Sequence, residues 1–327
     1  MKQGLVSAVI VNWNAAQVLP ACLDSLAAQT YAPIEVIAVD NASTDGSADL
    51  LARYPGAQLI QNHANLGFTV PNNTAIAASK GEFVLLLNTD VTLAPDYLSR
   101  LVAALREDSR RGSAMGKLLR GDGRRIDSAG HVMYRAAWAV NRGQGEPDGP
   151  EWNSAKEVFG ACAAAALYRR AMLDDVAPDG DYLDPTFFMY LDDVDLDWRA
   201  RLRGWSSWYE PAAVAVHHRS ASGVRRSWRT QRHILKNRLI MLVKNEAGTG
   251  AIRRLPSSQG YTAAKVGKLL VTQPGALIGL LDFLRLLPSA LRRRRQIQAR
   301  RTVPATQLEA WFEPLPAPGR LLKSIAS

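Results

Sequence analysis

The chain has 327 residues, of which 47% are hydrophobic, and a formal net charge of +10 at pH 7. This length and apolar content support a sizeable core and exclude an intrinsically disordered protein. The charge is uneven, because the residues after His218 include 21 Lys and Arg but 4 Asp and Glu. Such a basic segment favours an anionic partner, either lipid headgroups or nucleic acid. The two cysteines, Cys22 and Cys162, lack metal-ligand spacing and indicate buried thiols without a disulfide framework.

Short apolar runs alternate with helical patterns over the first 90 residues. We predict strands at 5–11, 34–39, 57–60 and 83–87, and helices at 15–28 and 71–79. This alternation predicts an α/β fold with a parallel sheet. The opening segment is interpreted as the first strand and not as a secretory signal. Because parallel sheets bind ligands at the carboxyl ends of their strands, the polar residues after each strand are the candidates for a site.

Beyond residue 110 the pattern becomes less regular. Turns rich in Gly and Asp separate short candidate strands such as 157–168, which predicts an irregular half that covers the first. Beyond residue 225 the sequence predicts helices at 227–245 and 262–296, the second broken at Pro274 and Pro288. Because Pro, Asp and Arg interrupt its apolar run, we expect no apolar span of 18 residues here, and we expect this region to lie on a membrane and not to cross it.

Two aspartates follow predicted strands of the first half. Asp40 comes directly after the 34–39 strand, where a carboxylate can accept a hydrogen bond from a nucleobase N–H. Asp90 follows the 83–87 strand, where a carboxylate can hold Mg²⁺ or Mn²⁺. A capped turn and an ordinary loop aspartate are the structural alternatives. Their place at strand ends favours the functional interpretation.

The second half contains an acidic helix and a candidate histidine. Four carboxylates fall within six residues: Asp192, Asp193, Asp195 and Asp197. The helix dipole explains one or two of them, and the remaining repulsion is typical of a functional site. Asp195 and Arg199 are spaced to pair along the helix. His217 follows a strand-like run, and it could complete the coordination of a metal or serve a structural role.

Taken together, these motifs resemble the inverting family 2 glycosyltransferases, particularly bacterial rhamnosyltransferases. The residues that carry the resemblance are VIVNWN at 9–14, VDNASTDGS at 39–47, NLGF at 65–68, NTDV at 88–91, FFMYLDDVDLDWR at 187–199 and His217. The resemblance implies the GT-A fold, a Rossmann-like α/β fold of nucleotide-diphospho-sugar transferases. Its mixed, mainly parallel sheet with flanking helices would be followed by a C-terminal helical membrane-associating extension.

The same resemblance implies a division of the chain. The catalytic domain is expected at 1–222, with a nucleotide-binding half at 1–110 and an acceptor-side half at 111–222. A basic amphipathic helical extension is expected at 223–327. The implied donor is a dTDP-, UDP- or GDP-linked sugar, with dTDP-rhamnose as the first hypothesis.

The resemblance also implies roles for individual residues. Asp193 is expected to be the general base that removes the proton of the acceptor hydroxyl, with inversion at the anomeric carbon. The residues expected around the donor are Asn14, Asp40, Asn41, Asp45, Asn65, Gly67, Asn88 and Asp90. Asp90 and His217 are expected to bind Mg²⁺ or Mn²⁺. The residues expected to contact the acceptor or support the base are Asp192, Asp195, Trp198 and Arg199.

The basic tail suggests where the protein works. Helix 227–245 is predicted to place Arg229, His233, Lys236 and Lys244 around an apolar face. The resemblance implies that such a helix faces a lipid-linked acceptor. The arginines at 292–295 and 300–301, which follow the apolar stretch 276–291, could bind phospholipid headgroups at about 1 kcal/mol per charge, although a solvated charge run has a similar composition. We expect a peripheral protein on the cytoplasmic, inner face of the cell membrane that acts on a lipid-linked saccharide.

Three other classes of function were compared with this hypothesis. A nucleic-acid-binding protein would use the basic tail, but no recognition motif or interleaved aromatic residues accompany the arginines, so no nucleic acid is expected. A nicotinamide dehydrogenase would need GxGxxG after the first strand, where this chain has Asn12-Trp13-Asn14. A catalytically inactive, membrane-bound partner of another transferase is disfavoured because Asp90, Asp193 and His217 are present.

Overall fold

The computed structural model describes residues 1–219 and 227–316. The strands are β1 (Lys2–Asn12), β2 (Ile34–Asp40), β3 (Ala57–Gln61), β4 (Gly81–Asn88), β5 (Val91–Leu93), β6 (Arg111–Arg120), β7 (Ile126–Ser128), β8 (His131–Tyr134), β9 (Trp138–Asn141), β10 (Lys156–Val158), β11 (Ala165–Arg169), β12 (Ser206–His217) and β13 (Phe312–Glu313). The α-helices are α1 (Leu19–Ala27), α2 (Ser47–Arg53), α3 (Thr69–Ala78), α4 (Tyr97–Glu107), α5 (Arg170–Val176), α6 (Asp192–Leu202), α7 (Trp228–Asn245), α8 (Gly248–Thr272), α9 (Ile278–Ala299) and α10 (Ala305–Glu309).

A ten-stranded mixed sheet forms the centre of the molecule. Its main path runs in the order β10-β12-β6-β11-β4-β1-β2-β3, with β5 on β12 and β7 on β6. Pairing is parallel from β4 through β1 and β2 to β3, as the alternating pattern predicts, and also between β6 and β12. β11 enters antiparallel between β4 and β6. The predicted mixed sheet is therefore confirmed.

The register of the parallel strands fixes the position of the candidate residues. Asn12 at the end of β1 lies opposite Asp40 at the end of β2. The preceding residue, Val11, lies opposite Asn88 at the end of β4. The central strands are apolar and almost completely buried, so a shift in their pairing register would expose core side chains to solvent. Three strand ends with polar residues are thus held at one edge of the sheet.

The second half is more regular than the sequence pattern predicts. β6, β11 and β12 belong to the central sheet and do not form a loose cover over it. The single strand predicted at 157–168 is wrong, because β10 and β11 are separated by a loop at 159–164. In that loop, a Cβ on Gly160 would lie 1.8 Å from an oxygen of Asp197, so the backbone passes very close to helix α6.

Three helices form a layer on the acceptor-side half. α7 is confirmed at Trp228–Asn245, but α8 begins at Gly248, well before the predicted start at 262. The chain breaks near Pro274 as predicted, whereas α9 continues through Pro288 without interruption. The predicted boundary between 222 and 223 lies outside the described residues. The layer and the acceptor-side half share one hydrophobic cluster, in which Met133 and Phe187 join Ile240 and Phe312.

The apolar region near the C-terminus also differs from expectation. Pro274–Ala299 is long and apolar enough to cross a membrane by length and composition, with 17% of its most apolar stretch buried in the protein. The expectation that no such stretch exists is therefore wrong. Asp282 and Arg285 are present but do not interrupt the helix.

The predicted basic face of α7 is wrong in part. Lys236 and Lys244 are buried, with exposed fractions of 5% and 1%. Lys236 donates a hydrogen bond to the carbonyl of Thr186, and Lys244 forms ion pairs with Asp184 and Asp195. Because these ammonium groups are bound within the protein, they cannot meet lipid headgroups.

Candidate functional site

Asp40 lies in a compact hydrogen-bonded loop at the carboxyl end of β2. Its carboxylate accepts hydrogen bonds from Asn12 Nδ2 at 2.7 Å, from the Ser43 hydroxyl at 2.6 Å and from the Ser43 amide at 3.0 Å. Its exposed fraction is 3%. The sequence predicted Asp40 in this place but not the buried Asn12 that orients it. The donor role of Asp40 stays a prediction.

The neighbouring polar residues hold the loops of this edge together. Asn14 Oδ1 accepts from the Thr44 amide at 2.8 Å, and Asp45 accepts from the Ala16 amide at 2.8 Å. Asn41 is 1% exposed and donates to the Gly67 carbonyl at 2.6 Å. Asn41 therefore holds the two loops together, and its place beside the donor stays a prediction.

The loop at 65–68 packs against the loop that precedes the acidic helix. Asn65 Oδ1 accepts from the Gly67 amide at 2.8 Å. Gly67 has φ +81°, and a Cβ there would lie 2.4 Å from the carbonyl oxygen of Phe188. The same carbonyl accepts a hydrogen bond from the Phe68 amide at 2.5 Å. The 65–68 loop, which is predicted to bind the donor, therefore contacts the loop that leads to Asp193.

Asp90 and His217 form the predicted metal-ligand pair. His217 Nε2 lies 3.3 Å from Asp90 Oδ1, because β12 pairs with β5 immediately after Asp90. On its other side, His217 Nδ1 lies 2.8 Å from Asp127, a fully buried carboxylate that the sequence pattern did not indicate. Asn88, two residues before Asp90, is half-buried at the same strand end.

The donor chemistry of this pair fits a divalent cation. In many metal sites a carboxylate bonds to one ring nitrogen of a histidine, which fixes the ring and leaves the other nitrogen facing the ion. Here Asp127 would bond to Nδ1 and leave Nε2 for the ion. Burial alone disfavours the charged ring, but hydrogen bonds with Asp127 and Asp90 raise the pKa of His217 to about 9. A cation that bound between Asp90 and His217 would take the place of that proton.

Asp193 begins the acidic helix beside a buried histidine. Its side chain is 20% exposed, and its carboxylate accepts from the amides of Ala163 at 3.2 Å and Val194 at 2.9 Å. His131 Nε2 lies 3.5 Å from the same carboxylate, and His131 Nδ1 lies 2.7 Å from Asp197. No sequence motif indicated His131, which lies about 60 residues before Asp193 along the chain.

The charges of this group are strongly coupled. Burial opposes ionisation of His131, but the charge of Asp193 and the hydrogen bond to Asp197 raise its pKa well above the ordinary value. Burial raises the pKa of Asp197 to about 6, although His131 opposes that rise. Burial and the charge of Asp193 raise the pKa of Asp192 well above its usual range. Asp193 therefore lies beside a buried histidine whose charged form is favoured and a buried carboxyl group, Asp192, whose neutral form is favoured.

Cys162 adds a thiol to this cluster. Ligand atoms of His131, Cys162 and Asp193 lie within 4.8 Å of one another, which is close enough to hold a metal ion. This set is separate from Asp90 and His217 and was not predicted. The Nδ1 atom of His131 is already bonded to Asp197.

Three residues predicted to contact the acceptor or support the base lie in the interior. Asp195 is fully buried and bonded to Arg199 at 3.0 Å, to Lys244 and to Asn245. Arg199 also donates to backbone carbonyls, and Trp198 is 1% exposed against Phe312. In this structure all three side chains hold the helix that carries Asp193, and contact with an acceptor stays a prediction.

The separate clusters meet at one edge of the sheet. The amide of Asn88 donates to the carbonyl of Ala164 at 2.9 Å, and the adjacent amide of Ala163 donates to Asp193. The loop that holds the candidate base thus touches the strand end that leads to Asp90. Asp40 lies at the end of β2, two strands from β4 across β1.

Comparison with known proteins supports a glycosyltransferase site. The sequence model of the family described as "Glycosyl transferase family 2" matches residues 7–177. The N-acetylglucosaminyl-diphospho-decaprenol L-rhamnosyltransferase of Mycobacterium tuberculosis is 31% identical over 239 residues, which cover 65% of this chain and 76% of the relative. The poly(ribitol-phosphate) beta-glucosyltransferase of Bacillus spizizenii is 33% identical over 128 residues, 37% of this chain and 20% of that protein.

Solved structures share the fold at low sequence identity. S. aureus TarS 1-349 in complex with UDP-GlcNAc matches with a TM-score of 0.57 at 17% identity, covering 90% of each chain. The mannosyltransferase PcManGT from Pyrobaculum calidifontis, in complex with GDP-Man and Mn²⁺, matches with a TM-score of 0.54 at 16% identity, covering 94% of this chain and 87% of that one. The expected GT-A fold is confirmed by these matches.

Proposed function

Since this chain belongs to glycosyl transferase family 2, we propose that it is an inverting enzyme that moves a sugar from a nucleoside-diphosphate donor to a lipid-linked saccharide. Glycosyl transfer in cell-envelope glycan synthesis is the general activity. Rhamnose as the sugar, with dTDP-rhamnose as the donor, is supported by the name of the M. tuberculosis relative. The same name supports a polyprenyl-diphosphate-linked acceptor and hence a peripheral enzyme on the inner face of the cell membrane.

Asp193 acts as the general base in this proposal. Its carboxylate takes the proton of the acceptor hydroxyl while that oxygen bonds to the anomeric carbon and the bond to the diphosphate breaks. Attack from the face opposite the diphosphate inverts the configuration. The backbone amides of Ala163 and Val194 hold the carboxylate in place, and His131 keeps a positive charge beside it.

Asp90 and His217 would hold the divalent cation, Mg²⁺ or Mn²⁺. Such an ion stabilises the negative charge that grows on the departing nucleoside diphosphate. Asp127 holds the ring of His217 so that Nε2 faces Asp90. Asp40 and the loop 65–68 would bind the nucleotide, with Asn41 tying the two loops together.

One observation carries the proposal. The 159–164 loop bonds to Asp193 through Ala163 and to Asn88 through Ala164, at adjacent residues. The candidate base and the strand end beside the candidate metal ligands are therefore a fixed, short distance apart. Transfer of a sugar from a nucleoside diphosphate needs a group that stabilises the charge on the diphosphate close to a group that accepts the proton of the acceptor.

The test is a donor screen that follows nucleoside diphosphate release. Purified protein is incubated with dTDP-, UDP- and GDP-linked sugars and Mg²⁺ or Mn²⁺, with and without a polyprenyl-diphosphate-linked acceptor. The Asp193→Asn variant should lose about 10²- to 10⁴-fold in kcat while its donor Kd changes little, because the amide cannot accept the proton.

The matched control is Asp174→Asn, an exposed aspartate at the end of α5 that should keep wild-type activity. If Asp193→Asn turned over donor as fast as wild type, the assignment of the base would be wrong. Donor binding without turnover by wild type would instead identify an inactive partner of another transferase, and the absence of binding by any donor would reject the proposed function.

A further inference from the structure

The outward face of α9 is an exposed apolar row. Ile278, Leu281 and Leu284 are 39%, 54% and 59% exposed. They recur every three residues, so they lie along one side of the helix. The opposite side packs on α7, where Gly279 and Ala290 are buried. A helix that buries one apolar side against protein and exposes another is unusual without a partner for the second.

Further exposed apolar side chains lie at the same end of the helical layer. Leu270 and Val271, at the end of α8, are 61% and 84% exposed. Trp228 begins α7, is 38% exposed, and lies against Gly275 in the turn that joins α8 to α9. Trp228, Leu270, Val271, Ile278, Leu281 and Leu284 together form a surface that we call the apolar edge.

The charges around the apolar edge are of one sign. Arg285, Arg292 and Arg295 are exposed on α9. Between residues 247 and 308 the sequence contains one acidic residue, Asp282, and it is bonded to Arg232 at 2.5 Å. An apolar surface bordered by unopposed arginines complements an anionic lipid surface, in which acyl chains lie beneath negative headgroups.

The inward contacts of α9 favour a helix that lies along the surface. Asp282 is bonded to Arg232 of α7, and Arg293 is bonded to Asp181 at 2.7 Å. Arg294 donates to the carbonyls of Val243 and Glu246 at 2.8 and 2.7 Å. Crossing a membrane would bring these groups into hydrocarbon, where charges are costly. We propose that the apolar edge inserts shallowly into an anionic bilayer, with the exposed arginines of α9 against phospholipid headgroups.

This orientation brings the bilayer close to the acceptor side of the cleft. His233 stacks on Phe188 with ring centroids 5.1 Å apart, and Asn237 donates to the Tyr190 carbonyl at 2.8 Å. His233 is five residues from Trp228, or about 7.5 Å along the helix axis. The loop before Asp193 is thus one to two helical turns from the lipid. Delivery of a lipid-linked acceptor by this route rests on the proposed function, whereas binding to the bilayer does not.

Flotation with vesicles tests the proposal. Wild type should bind phosphatidylcholine vesicles that contain phosphatidylglycerol, and the double variant Leu281→Ser/Leu284→Ser should bind at least about tenfold more weakly because it loses buried apolar area. The variant Arg292→Gln/Arg295→Gln should weaken binding by about fivefold per arginine, with a smaller effect on vesicles without phosphatidylglycerol.

The matched control is Ile252→Ser/Leu255→Ser, which removes exposed apolar side chains at the far end of α8. Eighteen residues separate Ile252 from Leu270, about 27 Å of helix. This variant should bind vesicles like wild type. Equal loss in both serine variants, or none in either, would overturn the proposal. So would a wild-type dimer that becomes monomeric in Leu281→Ser/Leu284→Ser without vesicle binding, because the edge would then be a subunit interface.

A fluorescent label can locate the contact directly. Because both native cysteines are buried, Val271→Cys can be labelled selectively with an environment-sensitive dye. Its emission should shift to the blue on addition of anionic vesicles, and the same label at Gln259→Cys, exposed in mid-α8, should not shift. An unshifted label at 271 would contradict insertion. Neither readout uses a sugar nucleotide, so failure of the donor screen would leave this test unaffected.

Discussion

At the level of single residues, the environment of Asp193 is set by His131. His131 is 4% exposed and lies between the carboxylates of Asp193 and Asp197. Because its pKa is raised well above the ordinary value, the ring is positively charged at neutral pH. A cation beside a carboxylate favours the ionised form that accepts a proton. We infer that His131 is a positioning residue for the base.

Removing this charge should change the pH dependence of the reaction. In His131→Gln the Asp193 carboxylate loses the positive charge beside it, so the acidic limb of the kcat profile should move to higher pH. The rate at neutral pH should fall while the donor KM changes little. Steady-state kinetics across pH measure both. His63→Gln, at an exposed histidine, is the control. An unmoved acidic limb would limit His131 to a structural role.

Some of the site residues could be predicted from the sequence and others could not. Asp90 and His217 could be paired in advance, because each follows a strand and strand ends meet at one edge. His131 and Asp127 could not, because neither belongs to a local pattern and only the β-pairing of the second half brings them to the site. Nor could the partner of Trp198 be predicted, because Phe312, which packs against its ring, comes from the far end of the chain.

At the level of elements, the loop at 65–68 packs directly against the loop at 184–191. Gly67 lies against the backbone of Phe188, and His233 of α7 stacks on the Phe188 ring. The sequence patterns predicted the strand before the first loop, β3, and the acidic helix after the second, α6. They could not predict the contact between the two loops, which depends on positive φ at Gly67 and at Phe188.

A methyl group at Gly67 should separate these loops. Gly67→Ala combines φ +81° with a Cβ contact of 2.4 Å, so we expect loss of about 1–3 kcal/mol of unfolding free energy and a higher donor KM. Gly56→Ala has a similar φ of +74° and nothing within 4 Å of the added Cβ. It should show the conformational strain alone. Thermal unfolding and donor titration compare the two variants, and equal effects would mean that the Phe188 contact does not matter.

At the level of the whole molecule, the helical layer is joined to the catalytic half by buried charge. Lys244 of α7 is bonded to Asp184 and Asp195, and all three are almost fully buried. Burial alone would raise the pKa of Asp184, but the charges of Lys244 and Arg293 lower it well below its usual range. The stability from this depressed pKa is present above the unfolded value of about 4 and is lost on acidification.

Breaking this buried pair should destabilise both regions together. Lys244→Met leaves Asp184 and Asp195 without their shared cation, and we expect a loss of about 3–5 kcal/mol in one cooperative transition. The loss should be largest near neutral pH and should shrink as the pH falls below about 4, because the stability from the depressed pKa of Asp184 is lost as the pH falls from the unfolded pKa toward the lower folded pKa. Lys80→Met, at an exposed lysine, is the control. Two separate transitions in chemical denaturation would show instead that the layer and the catalytic half unfold independently.

The bonds that fasten α9 to the protein have a consequence for which acceptors can react. Ion pairs of Asp282 with Arg232, and of Arg293 with Asp181, join the helix to α7 and to the catalytic half. If α9 rests on a bilayer, Asp193 then stands at a constant height above the lipid. Such an enzyme would extend only glycans whose free hydroxyl lies at that distance from the bilayer.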